Sequence, residues 1–119
     1  MSYNCDSIEY ISGKLSIKRS VAVEALQKHA DELPESDFIS EAVSSSDGLE
    51  PDSIIEIENP WWGGEGSGRS YGLFKELLSL TTGAADLLLT WEGGDSINGL
   101  RVSEGNVHEK KVKHTLVDE

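Results

Sequence analysis

An α+β fold is what this sequence predicts: a mixed or mostly antiparallel sheet of about five strands with two or three helices packed on it, in the element order ββ-α-α-β-α-β-β-β. Three observations lead there. Apolar and polar residues alternate near both ends of the chain, as in half-buried strands. Between these ends lie segments whose apolar residues recur at helical spacing. Gly, Pro and Ser clusters punctuate the junctions. At 119 residues, one globular domain spanning 1–119 is expected, long enough to bury a core without metal or disulfides.

Ile8, Tyr10, Leu15 and Ile17 alternate with polar residues around Ser12-Gly13-Lys14, which reads as a short hairpin or a bent strand. Ser20 is a candidate N-cap for a helix carrying Ala22, Ala25, Leu26, His29 and Leu33 on one face. That helix should end before Pro34. His29 reads as a packing residue, because no second ligand sits at metal spacing. A shorter helix starts at Pro34 with Phe38, Ile39, Ala42 and Val43 as its stripe, and Ser44 to Asp52 is a loop.

Ser53 to Glu58 has the β-branched content of a strand. Ser70 can cap a helix from Tyr71 to about Leu80, with Gly83 suited to a position just past its end. Asp86 to Glu92 reads as an interior strand covered on both faces. Strand 54–58, helix 71–80 and strand 86–92 then form a parallel crossover unit. Ile97 to Val102 and Val107 to Val117 pair as a hairpin around Ser103-Glu104-Gly105-Asn106.

Charge narrows the function classes. The net charge is −12, and from His29 to Gly68 there is no Lys or Arg against eleven Asp and Glu. A polyanionic partner would be repelled, so no direct nucleic-acid or membrane contact is expected and a basic protein partner is favoured. The acidic surface is assigned to Asp31, Glu35, Asp37, Glu41, Asp47, Glu50 and Asp52. A single cysteine, Cys5, allows no internal disulfide, and the N-terminus lacks a signal pattern. With no apolar run long enough to span a bilayer, a cytoplasmic location is the expectation.

One stretch stands apart: Asn59 to Ser70, with Trp61 and Trp62 followed by four glycines. Gly63 to Ser70 matches a phosphate-cradling loop only if Arg69 replaces the usual Lys. Glu65 would sit inside that cradle, and Arg is a planar fork rather than a point charge. Nucleotide chemistry is therefore disfavoured, although a helix N-terminus can attract a small anion at Gly66–Ser70. Two consecutive Trp residues on an extended chain face opposite sides, so one of them is a candidate exposed anchor. Trp91-Glu92-Gly93-Gly94-Asp95 repeats the aromatic, glycine-pair, acid pattern. If the two preceding strands are parallel neighbours, Trp61, Trp62, Glu65, Arg69, Trp91, Glu92 and Asp95 form one partner-binding surface.

No catalytic constellation, metal set or cofactor motif emerges. His108 and His114 lie roughly 20 Å apart along an extended strand, too far to share a metal. The reading that follows is a small acidic binding or inhibitor protein. Its partner would be basic, such as a nuclease or toxin, met by an immunity-type protein or a nucleic-acid mimic. One alternative is a small-ligand or anion-binding domain using residues 63–70; another is a structural or regulatory subunit of a larger complex.

Overall fold

The computed structural model describes residues 5–63, 68–91 and 96–110. Five strands and three helices follow in the order β1 (Cys5–Lys18), α1 (Arg19–Lys28), α2 (Phe38–Ser45), β2 (Ile54–Glu56), α3 (Gly68–Leu78), β3 (Thr82–Trp91), β4 (Ser96–Ser103) and β5 (Asn106–Lys110). They form an α+β architecture with one open sheet of order β2-β1-β3-β4-β5, every neighbouring pair antiparallel. The expected element order is met except at the start, where one long strand replaces two.

That strand explains its own sequence pattern. The inward apolar positions are even at Ile8 and Tyr10 but odd at Leu15 and Ile17. Since strand side chains alternate faces, the phase must shift once between them. The register against β3 slips between Tyr10 and Ser12, leaving Ile11 as the extra residue of a bulge, 60% exposed. Gly13 follows with φ +74°, so the bent strand, not the hairpin, is formed. Tyr10 secures the bend: its hydroxyl accepts from Leu15 N–H at 3.2 Å and donates to the Ile57 carbonyl at 2.6 Å.

No parallel pair occurs among the described strands. β2 and β3 run in the same direction, but β1 lies between them and pairs antiparallel with both. The parallel crossover expected from the sequence is thus split. Its strands do not end at one level either: Glu56 of β2 pairs with Ser16, whereas Trp91 of β3 pairs with Cys5.

One face of the sheet is dry. Ile8, Leu15, Ile17, Ile55, Ala85, Leu87, Leu89, Leu100 and Val102 join Ala22, Phe38, Ile39, Leu73, Phe74 and Leu77 in a single buried cluster. The other face carries Glu9, Ser12, Lys14, Asp86, Arg101 and His108 at exposed or partly exposed positions. β3 is therefore covered on one side only, and its burial alternates (Ala85, Leu87 and Leu89 in; Asp86, Leu88 and Thr90 partly out). An antiparallel sheet tolerates this solvated face.

The helix boundaries differ from expectation for local reasons. α1 follows β1 without a loop, so its N-cap is Lys18, with no side-chain cap, rather than Ser20. Arg19 instead reaches the end of α2, donating to the Ser46 carbonyl at 3.0 Å and to Ser46 Oγ at 3.2 Å. α1 stops at Lys28, well before Pro34. α2 starts at Phe38, not Pro34, because Asp37 caps it by accepting from Ser40 N–H at 3.2 Å. α3 begins at Gly68, which places Ser70 inside it, and Leu80 beyond its end is 38% exposed. Gly83 belongs to β3 with φ +88°. The hairpin β4–β5 turns through Glu104 (φ 46°) and Gly105 (φ 84°), the two positive φ angles of a type I′ turn. β5 ends at Lys110, and the rest of the strand expected to reach Val117 lies outside the described residues.

Two exposed ion pairs should add a modest sensitivity to acid. On the open face, Arg101 donates from Nε to Asp86 Oδ1 at 2.7 Å, and Ser12 Oγ donates to Oδ2 at 3.3 Å. The Arg101 hydrogen bonds are the main reason the Asp86 carboxyl lies below its usual range. Glu32 is lowered likewise, first by its hydrogen bond with His29 and then by Arg69. A carboxylate whose folded value is depressed stabilises the protein above its unfolded value and loses that contribution as pH falls through the folded value. The part of the urea stability that these two carboxylates supply should therefore be constant above about pH 5 and decline as pH drops below about 4. Arg101→Leu should shallow that decline, and 1 M salt should mask much of it. An equal acid slope for Arg101→Leu and the native protein at low salt would contradict the assignment.

Candidate functional site

The site is built where residues 59–63 lie against residues 36–38. Phe38 N–H donates to the Trp61 carbonyl at 2.9 Å, Gly63 N–H donates to the Ser36 carbonyl at 2.9 Å, and Asp37 bridges Trp62 antiparallel. This short ladder holds the chain extended through both tryptophans, which fixes their opposite orientations. Trp62 points inward and is fully buried. Its ring packs on Phe74 at 5.3 Å between centroids, and its Nε1 donates to Ser70 Oγ at 3.3 Å. Phe38 meets Phe74 edge-on at 6.0 Å. Trp62 is accordingly a core residue, a correction to its placement on the partner-binding surface. Trp61 is the half-buried one, with Nε1 donating to Ser36 Oγ at 2.9 Å.

Two adjoining clefts flank this ladder, each of about 330 Å³. The first is floored by Phe38, Ala42 and Ile57 and rimmed by Glu41, Glu56 and Glu58. The second is lined by Glu35, Asp37, Ser40, Glu41 and Trp61, among others. Glu41 and Asn59 belong to both, and no Lys or Arg among the described residues lines either. Glu58 Oε1 accepts from the Lys14 ammonium at 3.3 Å.

The remaining acidic assignments divide. Asp31, Glu35, Glu41, Asp47, Glu50 and Asp52 are exposed. Asp52 lies 3.9 Å from Lys18. Asp37 is only 3% exposed, so it is a buried helix cap rather than a surface acid. Asp before an apolar helical run is a recognisable N-cap signal. Glu56 and Glu58 were not singled out by the sequence reading. Alternation around the inward Ile55 and Ile57 is the signal that would have placed them outward.

Arg69 has a carboxylate partner. Its guanidinium pairs with Glu32, donating from Nε at 2.7 Å, and Glu32 also bonds His29 Nδ1 at 3.0 Å. Glu76 lies 3.7 Å from His29 Nε2, so His29, buried at 7% exposure, joins the end of α1 to α3. Glu65, Glu92, Asp95, the side chain of Trp91 and part of the Gly66–Ser70 segment lie outside the described residues. The strands that were to set the two Trp-Gly loops side by side are not neighbours. Among the described residues no His, Cys, Asp or Glu group has the arrangement of a metal site, and no helix is long and apolar enough to cross a membrane. Comparison with protein-family models, with curated proteins and with solved structures finds no match for this chain.

Proposed function

We propose that this chain is an acidic binding protein that docks, and by docking inhibits, a basic protein partner of the kind a nuclease or toxin presents. The observation that carries this reading is the pair of adjoining clefts beside Trp61, rimmed by Glu35, Glu41, Glu56 and Glu58, of which Glu58 is paired with Lys14, and lined by no Lys or Arg among the described residues. Carboxylates around a concave surface focus negative potential there, which speeds and orients the approach of a cationic partner. A half-buried tryptophan at the edge supplies dry contact area that charge alone does not. The net charge of −12 acts in the same direction at longer range.

The test begins with a pull-down from the native source, followed by purification of the basic protein recovered. Its affinity should fall at least tenfold between 50 and 300 mM salt, and its activity should drop on complex formation. Binding that is insensitive to salt would remove the basis for this reading.

A further inference from the structure

Resting on that reading, we propose that the cleft over Asp37 is a socket for an arginine side chain of the partner. The starting observation is an unsatisfied oxygen. Asp37 is 97% buried by its 3% exposure, and its Oδ2 accepts from Ser40 N–H at 3.2 Å. Its Oδ1 is enclosed and has no hydrogen-bond partner among the described residues. Buried polar atoms are nearly always paired, and a carboxylate oxygen is among the costliest to leave alone. A donor arriving from outside, carrying positive charge, satisfies it.

The surroundings select that donor. Asp37 lines the second cleft together with Glu35, Glu41, Ser40, Asn59 and Trp61. This lining offers carboxylates for a cation and an indole for a planar group. A guanidinium is weakly hydrated, presents a fork of donors that can meet two carboxylates at once, and stacks on aromatic faces; an ammonium is a strongly hydrated point charge. Arginine is therefore preferred over lysine. The positive end of the α2 dipole opposes any cation here. It amounts to about half a charge, set against three carboxyl groups, Asp37, Glu35 and Glu41, and one of its N–H groups is already taken by Oδ2. Because Oδ1 is enclosed, the cleft wall must yield on entry. We place the moving part at Trp61, whose indole Nε1 donates to Ser36 Oγ.

The experiment titrates the ¹⁵N-labelled full chain at low salt with tri-arginine amide and, separately, tri-lysine amide. The expected result is at least tenfold tighter binding of the arginine peptide, with shifts at the Trp61 indole N–H and the Ser40 amide. Asp37→Asn keeps a capping side chain; it should lose at least tenfold in arginine affinity and bind the two peptides alike. Glu41→Gln serves as the second variant should Asp37→Asn unfold, and should lose severalfold. Glu24→Gln and Glu104→Gln remove the same charge from exposed positions outside the cleft and should stay within twofold of the native protein. Equal binding of the two peptides, with Asp37→Asn and Glu41→Gln unchanged, would overturn the socket while leaving general acidic docking in place. No binding of either peptide, together with salt-insensitive capture of the partner, would overturn both.

Discussion

Trp62→Ala is expected to lower the unfolding free energy by about 3–5 kcal/mol, whereas the same change one residue earlier, Trp61→Ala, should cost only about 1 kcal/mol. The two residues are adjacent and identical, so the contrast isolates position. Trp62 is fully buried against Phe74, within the same cluster as Phe38, and its Nε1 is matched by Ser70 Oγ. Removing the indole leaves a cavity between α2 and α3 and strips the serine of its donor. Trp61 is half-buried at the cleft, and its loss should appear chiefly in partner affinity. Urea denaturation followed by far-UV circular dichroism measures the difference. Equal losses for the two variants would contradict their assignment to core and surface.

Gly13→Ala should be nearly as damaging, at roughly 2–5 kcal/mol from backbone strain and overpacking together. Gly13 has φ +74°, where a side chain is strained, and an added Cβ would sit 2.2 Å from the Ala84 carbonyl oxygen. That oxygen belongs to the backbone of the central strand β3, which cannot move aside without disturbing its pairing with β1 and β4. Gly48 separates the two causes. It has φ +89° but nothing within 4 Å of an added Cβ, so Gly48→Ala should cost only the strain, about 1 kcal/mol. Thermal unfolding of both variants checks the ordering, and a Gly13→Ala loss no larger than that of Gly48→Ala would show that the close approach to β3 has no energetic weight.

Much of the architecture was legible because it depends on local periodicity. Ala22, Ala25, Phe38, Ile39, Leu73, Phe74 and Leu77 are core residues on helices, as their spacing required. The Glu104-Gly105 turn was legible because few two-residue loops match strand twist. The bulge at Ile11 was visible only as a change of phase, which a hairpin would explain equally well. The helix starts at Phe38 rather than at the expected Pro34 because Asp37 caps it, a role set by the hydrogen bond from Ser40.

The candidate site was less legible. That Trp61 and Trp62 face opposite ways follows from an extended backbone, but which of them faces inward depends on the ladder between residues 36–38 and 61–63, which are about 25 positions apart in the chain. The carboxylate that pairs with Arg69, Glu32, lies on a different segment, 37 residues earlier in the chain.

The sequence alone therefore determined the secondary-structure types, the amphipathic faces and the negative charge, since each arises from neighbouring residues and needs no partner elsewhere. Tertiary structure decided that β1 runs between β2 and β3, that Trp62 enters the core while Trp61 stays at the cleft, and that Asp37 is buried with one oxygen unmatched among the described residues. These outcomes depend on which distant segments share the dry face of the sheet, and burial of apolar area is non-directional: the pattern says which residues seek cover, and only the assembled chain says which residues provide it.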